Sequence, residues 1–536
     1  MDKQLEIIKT FVCFVFVIIT IALFGGCSNS DDMGKIPLTP SAEKDTVIIV
    51  KKDTIVMDKE ATPSLDKIVF RCTDNPYQLN DDVVCDIIDD SLIICRIPYI
   101  IENKQLVPDF EFTGDKLLLD GVRYEGGRYD FSKPVELTLT AGDVIKNYVM
   151  YVHSFTGIPV VWIETEQRKD ITSKDEYLNA SFRLEEGQIT RGAGDVIYDS
   201  VKIKGRGNSS WEFDKKPYRL KFAKEVSFFG DPKDKSWVLI ANYIDKTMLR
   251  NQMSFFLGKM SKLDWTPRAH FVELMLNGKY NGTYLLCEKV KISENRVNVG
   301  DDGLLMEVDG YATKESDSRY FSLKHFWHEV NIKAPHVEYG DETYNYAVDV
   351  MTEAENALFS DRFTDEKEGW RKYLDEDSFV DWYLINEIVK NGDAEGWSSI
   401  YFHCRRGEKI KMGPVWDFDQ SFGNCDYEEG TRTPEGFWIW HMPWMAQLYK
   451  DPYFVKLLKE RFAFFYGQKE AIFREINENA QYLRYAVEEN ENRWHTLYTY
   501  NWRNANIWGS YDNEVQFMKQ WLSARLEWMK SVYDKM

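Results

Sequence analysis

The sequence lacks the signatures of several common protein classes. Its eight cysteines include no Cys-x-x-Cys pair, which disfavours a zinc cluster. The Walker A pattern is also missing, and this excludes a P-loop fold. The apolar run from Phe11 to Phe24 has fourteen residues, short of the about twenty that a membrane-spanning helix needs. Positive charge is scarce, with 67 Lys and Arg against 87 Asp and Glu, so we expect no nucleic-acid partner.

What is present favours a large folded chain. The 536 residues are 44% hydrophobic and 29% charged, enough to bury a sizeable core and to form about three or four domains. Aromatic residues make up 15% of the chain and include 17 tryptophans. This share indicates either an aromatic core or surface platforms on which ligands stack.

The N-terminus has the pattern of an export signal. Lys3 and Lys9 precede the apolar run, and Gly25-Gly26-Cys27 follows it, as in a bacterial lipoprotein cleavage site. We therefore predict a lipoprotein signal peptide over residues 1–27, with Cys27 lipidated and the exported chain anchored to a membrane of the cell envelope. The acidic stretch that follows resembles a tag for the outer-membrane surface. An uncleaved anchor and ordinary secretion are the alternatives.

Three regions follow the signal. Residues 28–63 are rich in Asp, Lys, Ser, Thr and Pro and are typical of a flexible tether. Residues 64–155 contain short apolar runs separated by Asn, Asp and Gly, which predicts a small β-sandwich, immunoglobulin-like. Residues 156–536 begin with strand patterns, such as Val160–Thr165, and continue with helical ones, of which the first lies at 245–260. The chain is therefore expected to be α+β, with a cleft between a sheet lobe and a helical lobe.

Acidic residues in the helix-rich half suggest a catalytic centre. Asp417 and Asp419 follow a predicted strand, and carboxylates so placed can hold a hard cation such as Mg²⁺. Asp393 stands 24 residues earlier, in the turn after a predicted helix over 377–390. A helix, a loop carboxylate, a hairpin and a metal-binding carboxylate follow this order in protein-kinase-like catalytic lobes. An acidic turn without function is the alternative.

Basic residues concentrate in the strand-rich half. The loop Lys204–Trp211 contains two glycines and small polar residues, so its backbone N–H groups could approach a phosphate closely. The next strand, Lys216–Phe222, alternates and places Arg219 and Lys221 on one face. In a kinase-like plan the hinge would lie near Glu288, close to the ribose of ATP. An ordinary hairpin and a solvated strand end are the alternatives.

Several ordered segments together carry a family resemblance. These segments are Lys204–Trp211, Lys216–Phe222, Trp237–Asn251, Asn277–Glu288 and Trp416–Gly423. Over roughly residues 160–530 the chain resembles the CotH spore-coat kinase family. The resemblance implies an atypical protein-kinase-like bilobal fold. It also implies that ATP and a divalent metal, Mg²⁺ or Mn²⁺, serve to phosphorylate Ser or Thr hydroxyls of a protein acceptor.

The resemblance also implies roles for individual residues. Asp393 matches the catalytic carboxylate, Asp417 matches the metal ligand, and Asp419 is expected to be a second metal ligand. The residues expected to contact ATP are Arg206, Asn208, Lys216, Lys221 and Glu288, with Lys216 and Lys221 competing for the phosphates.

The sequence departs from the kinase pattern at one point. Kinase-like sites place an Asn shortly after the catalytic Asp as a second metal ligand, whereas Ala394–Ser399 contains none. An exported protein also meets little ATP. The alternative function is therefore a catalytically weak or inactive surface lipoprotein that binds carbohydrate or mediates adhesion. The aromatic cluster of Phe437, Trp438, Trp440 and Trp444 suggests a glycan partner. Packing in the core or in a wall of the cleft is the favoured interpretation, because the cluster shows no periodic binding platform. A glycoside hydrolase fits less well, because its carboxyl groups stand about 5–10 Å apart across a sugar.

Overall fold

The computed structural model describes residues 62–536, apart from residues 77, 80–81, 88–89, 99–102 and 186–195. The predicted signal peptide, Cys27 and nearly all of the predicted tether lie outside the described residues. Among the helices of the described part, none combines the length and the apolar character needed to cross a membrane.

Residues 64–155 form β-sheets around one hydrophobic core. Their strands are β1 (Ser64–Phe70), β2 (Val83–Val84), β3 (Asp86–Ile87), β4 (Leu92–Pro98), β5 (Gln105–Leu106), β6 (Asp109–Thr113), β7 (Lys116–Leu119), β8 (Val122–Arg123), β9 (Tyr129–Asp130), β10 (Val135–Ala141) and β11 (Val144–Phe155). The sheet orders are β2-β1-β6, β3-β4-β11-β10-β7-β8 and β5-β9. The β-rich character is as predicted, and the immunoglobulin-like sandwich stays a prediction.

The next seven strands close into a single sheet. They are β12 (Val160–Thr165), β13 (Leu178–Glu185), β14 (Val196–Gly205), β15 (Tyr218–Val226), β16 (Asp234–Ile240), β17 (Ala269–Leu276) and β18 (Lys279–Glu288). The order is β12-β13-β14-β15-β16-β18-β17, and β12 closes the ring by pairing parallel to β17. Along β15, Tyr218, Leu220 and Phe222 are buried, while Arg219 and Lys221 lie on the other face, as the alternation predicts.

The remaining strands form a five-stranded sheet that packs with helices. The strands are β19 (Leu304–Val308), β20 (Tyr320–Phe321), β21 (Val330–Ala334), β22 (Ile400–Cys404) and β23 (Lys411–Met412), in the order β20-β21-β19-β22-β23. The helices of the described residues are α1 (Ser209–Glu212), α2 (Arg250–Met260), α3 (Glu342–Leu358), α4 (Glu376–Val389), α5 (Glu429–Arg432), α6 (Pro443–Leu448), α7 (Pro452–Gly467), α8 (Lys469–Trp494) and α9 (Tyr511–Tyr533). The predicted α+β class is confirmed, and the bilobal kinase-like arrangement stays a prediction.

Helix α4 is the central element of the helical part. Twelve of its fourteen residues are buried, so it is surrounded by protein on all sides. Its N-terminus is capped by Asp375, whose side chain accepts a hydrogen bond from the Ser378 backbone N–H at 2.9 Å. At its other end Lys390 adopts a left-handed conformation with φ of 44° and stops the helix. The turn that follows is thereby held at a fixed place.

Candidate functional site

A cavity of about 890 Å³ is lined by residues of the closed sheet and of the helical part. Its walls carry two chemically opposite groups. The acidic group consists of Asp393, Asp417 and Asp419, and the basic group includes Lys204, Arg206, Arg219 and Lys289. A volume in this range is typical of a small-ligand site, which spans about 300–1,000 Å³.

The three aspartates converge although they come from two segments. Asp393 lies in a 3-10 turn, Gly392–Glu395, directly after α4, and the other two lie in the loop after β23. One ligand oxygen from each carboxylate lies within 4.8 Å of the others. Backbone hydrogen bonds join the segments, from Gly392 N to Gln420 O at 2.9 Å and from Phe422 N to Val389 O at 2.7 Å.

Residues at the start of α2 form hydrogen bonds with the loop that carries Asp417 and Asp419. The Asn251 side-chain oxygen accepts a hydrogen bond from Phe418 N at 2.9 Å, and Arg250 Nε donates to Ser421 O at 2.9 Å. Asp417 itself adopts a left-handed backbone conformation with φ of 64°, which is unfavourable for a residue with a Cβ atom. The buried contacts of its neighbours therefore help to hold the Asp417 backbone in this less common conformation.

Burial and mutual repulsion disfavour ionisation of the acidic group. Burial, with repulsion from Asp417, raises the pKa of Asp393 to about 7. Burial also raises the pKa of Asp417, although Arg206 and Arg503 oppose this shift. The pKa of Asp419 lies well above its usual value because of burial and the charges of the other two aspartates. A cation among these carboxylates would relieve the repulsion.

Two side chains position the Asp393 carboxylate. The Tyr427 hydroxyl donates a hydrogen bond to Asp393 Oδ1 at 3.2 Å. Arg503 Nη1 lies 3.8 Å from the same oxygen, and its guanidinium also lies 5.0 Å from the centre of the Tyr427 ring. Asp393 is thus oriented from one side and remains open to the cavity on the other.

The donor set around the acidic group suits a hard divalent cation. Gln420 lines the same cavity and is only 2% exposed, yet its Oε1 finds no hydrogen-bond partner among the described residues. An orphaned buried acceptor of this kind is unfavourable unless a ligand satisfies it. Mg²⁺ and Mn²⁺ prefer carboxylate and amide oxygens, which are the groups present. The residues therefore fit the predicted metal.

Several cations of the basic wall lie close enough to affect one another. Burial, together with Arg219 and Lys333, lowers the pKa of Lys289 to about 7. Arg219 Nε is buried and, in the part of the chain that the structure describes, has no hydrogen-bond partner. Neighbouring cations that destabilise one another and leave a donor unsatisfied are well suited to bind an anion with several charges.

The two glycines of the loop Lys204–Trp211 are closely packed against neighbouring side chains. A Cβ atom on Gly205 would lie 2.2 Å from the Trp211 ring, and one on Gly207 would lie 2.1 Å from Ser210 Oγ. Gly207 also has a φ of 86°. Both glycines are therefore required for the loop to fold against α1. Through this fold Arg206 and Asn208 reach the cavity.

Five of the eight predicted metal, phosphate and catalytic residues meet at the cavity, and three do not. The five are Arg206, Asn208, Asp393, Asp417 and Asp419. Lys216 instead donates through Nζ to Trp211 O at 2.7 Å, and Lys221 is exposed on β15. Glu288 is fully buried in an ionic cluster, 3.0 Å from Arg268 and 3.7 Å from Arg296.

Sequence reasoning missed several residues of the cavity, among them Lys289, Arg503 and Gln420. Lys289 directly follows the predicted Glu288. At the end of β18 the Lys289 side chain enters the cavity, whereas the Glu288 side chain does not. Arg503 comes from the segment between α8 and α9, far along the chain from Asp393, and no local pattern marks it. Gln420 follows Asp419 directly, and its buried, unpartnered oxygen is visible only in three dimensions.

The predicted aromatic cluster belongs mostly to the core. Trp438 and Trp444 are buried, and Phe437 packs edge-on against Trp528 with ring centres 5.1 Å apart. Trp440 is the exposed member, at 46%. Core packing, one of the two interpretations of this cluster, is therefore the one that the structure supports.

Known proteins resemble part of this chain. Residues 203–529 match the family model described as CotH kinase protein. Inner spore coat protein H of Bacillus subtilis (strain 168) is 26% identical over 230 residues, which cover 42% of this chain and 59% of that relative. The chain thus spans about three-fifths of the length of this curated relative.

One solved structure also matches in part. It comes from Bacteroides thetaiotaomicron and was assigned provisionally as a glycoside hydrolase. It is 13% identical, and the match covers 53% of this chain and 86% of that chain with a TM-score of 0.17. A score this low carries no argument about fold or function.

Proposed function

Because this chain belongs to the CotH kinase protein family, we propose that it is an atypical kinase-like enzyme with a bilobal catalytic domain. In this proposal it transfers the γ-phosphate of ATP to a Ser or Thr hydroxyl of an acceptor protein. The observation that carries the proposal is the single cavity in which an acidic group and a basic wall lie together. A triphosphate with its divalent cation needs both kinds of partner.

Residues of this chain would divide the binding between them. Asp417 and Asp419 would hold Mg²⁺ or Mn²⁺, with Gln420 as a neutral oxygen donor. When bound, the cation neutralises phosphate charge and orients the phosphoryl group. Arg206 and Lys289, which line the same cavity, would pair with the phosphate oxygens.

Asp393 would act as the general base. A pKa of about 7 suits a carboxylate that must accept a proton near neutral pH. In the transfer, the acceptor oxygen forms a bond to the γ-phosphorus and its proton passes to Asp393. The bond from the γ-phosphorus to the bridging oxygen breaks, and ADP leaves with that electron pair. Tyr427 and Arg503 keep the carboxylate in line with the acceptor.

The proposal includes an extracytoplasmic location. The N-terminal pattern ending at Cys27 supports an exported lipoprotein that is held to the membrane by its lipid. The β-rich region over 64–155 would then space the catalytic part from the membrane.

The test is phosphate transfer from γ-labelled ATP to a Ser-rich acceptor protein, with Mn²⁺ or Mg²⁺ present. We expect the full chain to label the acceptor and the variant Asp417→Ala to lose this activity by at least about 100-fold. Asp349→Ala, an exposed position on α3, is the matched control and should label normally. Equal labelling by Asp417→Ala and the parent chain would overturn the proposal.

A further inference from the structure

A second cavity opens beside Asp393. Its volume is about 440 Å³. The residues that carry the argument are Trp327, Trp397, Tyr427, Asp393, Glu395 and Arg503. We name this cavity the aromatic groove. Asp393, Trp397 and Arg503 also line the larger cavity, so the two cavities share the carboxylate proposed to act as the base.

The rings of the groove are exposed to water and yet held in place. Trp327 is 51% exposed and lies against Gly396, where a Cβ atom would come within 3.0 Å of its ring. Gly396 has a φ of 102°, so this position requires glycine. Trp397 is 41% exposed, and its carbonyl accepts a hydrogen bond from Gly310 N at 2.7 Å. Its ring also contacts His328, with centres 4.5 Å apart.

Rigid exposure of large aromatic rings at a concave site favours a ligand. Each ring leaves apolar surface in water, which costs free energy unless a partner covers it. Tyr427 is similarly exposed, at 45%, and is fixed by its hydrogen bond to Asp393 and by the Arg503 guanidinium. The groove therefore presents preformed flat surfaces beside the reactive carboxylate.

The charges of the groove are paired at short range. Glu395 Oε1 lies 2.8 Å from His441 Nε2, and Asp393 lies 3.8 Å from Arg503. A ligand of high charge of either sign would meet a like charge as well as an opposite one. A neutral ligand with many hydroxyl groups can instead use these carboxylates, the imidazole and the guanidinium as hydrogen-bond partners.

The groove offers no sheet edge to a peptide. None of the described residues that line it belongs to a strand, so an extended peptide could not add to a sheet there. The recognition surfaces are ring faces and polar side chains. A sugar ring fits this combination, because its C–H faces are attracted to the electron-rich face of an aromatic ring and its hydroxyls form hydrogen bonds.

We propose that the aromatic groove binds a neutral sugar ring carried by the acceptor. The inference rests on the proposed function for the role of Asp393 and narrows the acceptor class to a glycosylated protein. The sugar lies between Trp327 and Trp397, and a Ser or Thr hydroxyl of the same segment reaches Asp393. The bonds formed and broken in the transfer are those given above.

Binding of sugars to the full chain tests this inference without ATP. A panel of neutral disaccharides is titrated while tryptophan fluorescence and ligand saturation-transfer NMR are recorded. We expect at least one sugar to bind saturably, with affinity reduced by about tenfold or more in Trp327→Ala and Trp397→Ala. Trp508→Ala is the matched control, since Trp508 is 42% exposed and lies outside the groove lining. Trp327→Phe keeps a ring and should retain most of the binding.

Three results would overturn the inference. They are the absence of binding by every neutral sugar, equal binding by the parent chain and both alanine variants, and displacement of the sugar only by an unglycosylated Ser-containing peptide. The last result would assign the groove to a peptide. Asp417→Ala separates this inference from the proposed function, because that variant should bind sugar normally. Sugar binding without phosphate transfer in the parent chain would refute the function and leave the groove assignment in place.

Discussion

Several single residues of the site carry a local free-energy cost that the surrounding fold offsets. Asp417 has a positive φ, and its neighbour Phe418 is held by the Asn251 side chain. Lys289 is surrounded by cations, and Gln420 keeps a buried oxygen without a partner among the described residues. Each of these features costs free energy in the folded chain. Their concentration in one cavity is what a binding site for a cation and an anion requires.

The substitution Gln420→Leu tests the role of the orphaned oxygen. Leucine has a similar size but offers no ligand atom, so Mn²⁺ affinity should fall by about tenfold. Isothermal titration with Mn²⁺ alone measures the effect without turnover. Gln447→Leu, on α6 and outside the cavity lining, is the control and should bind Mn²⁺ as the parent chain does. Unchanged affinity in Gln420→Leu would remove this residue from the metal site.

At the residue scale, some site residues can be predicted from the sequence and others cannot. Asp393 and Asp417 stand out because a turn after a helix and a loop after a strand are local patterns. Arg503 has no such pattern, since its contact with Asp393 depends on how α8 and α9 pack. The alternation correctly predicts that Lys221 shares a face of β15 with Arg219. Lys221 lies two residues farther along the strand, and only Arg219 lines the cavity.

At the scale of elements, helix α4 depends on buried ion pairs with later helices. Glu387 on α4 and Arg525 on α9 are both fully buried, and Arg525 Nη2 lies 2.6 Å from Glu387 Oε1. Asp381 on α4 pairs with Arg461 on α7 at 2.7 Å. These pairs fix the helix that positions Asp393, so the last helices support the site without touching it.

The substitution Arg525→Ala should therefore destabilise the fold strongly. It leaves the Glu387 carboxylate buried without its cation, which costs about 3–5 kcal/mol. A lower melting temperature in calorimetry would report the loss. Arg474→Ala, at an exposed position on α8, provides the comparison and should melt with the parent chain. Equal melting temperatures for Arg525→Ala and the parent would show that the pair does not support the helices.

Strand β17 contains a carboxyl group that makes stability depend on pH. Burial raises the pKa of Glu273 to about 8, and the Tyr280 hydroxyl donates to it at 3.3 Å. The unfolded chain ionises this group above its ordinary pKa of 4.5. The stabilising contribution is therefore complete below that value and is lost progressively as the pH rises towards about 8.

The variant Glu273→Gln isolates this effect because glutamine cannot ionise. The melting temperature of the variant minus that of the parent chain should increase as the pH rises from about 5 to about 8.5. Glu225→Gln, at an exposed position on β15, should follow the parent at every pH. Parallel curves for Glu273→Gln and the parent would contradict the raised pKa.

Secondary structure was the most predictable part of the fold. Val160–Thr165 is rich in β-branched and aromatic residues, and it forms β12 with the predicted bounds. The helix predicted at 245–260 begins only at Arg250, because residues before it form buried polar contacts instead. Closure of the seven-stranded sheet depends on the pairing of β12 with β17, which are far apart in sequence. No local sequence pattern predicts such long-range pairing.

At the scale of the whole molecule, the charge distribution differs from the net charge. The chain carries a net charge of -20, yet the basic wall concentrates Lys204, Arg206, Arg219 and Lys289 on one cavity. Composition alone therefore excludes an extended polyanion but not a small anion inside a shielded cavity. The order of a strand-rich half before a helix-rich half predicted a site between them, and residues of both parts line the cavity.

Nucleotide binding to the full chain tests the central claim most directly. The measurement is isothermal titration of a non-hydrolysable ATP analogue in the presence of Mn²⁺, for the parent chain and for Asp417→Ala and Lys289→Ala. We predict saturable binding of about one nucleotide per parent chain, with affinity lower by about 100-fold in Asp417→Ala and about tenfold in Lys289→Ala. Identical affinity in all three proteins, or no binding to the parent chain, would contradict a metal–nucleotide site in this cavity.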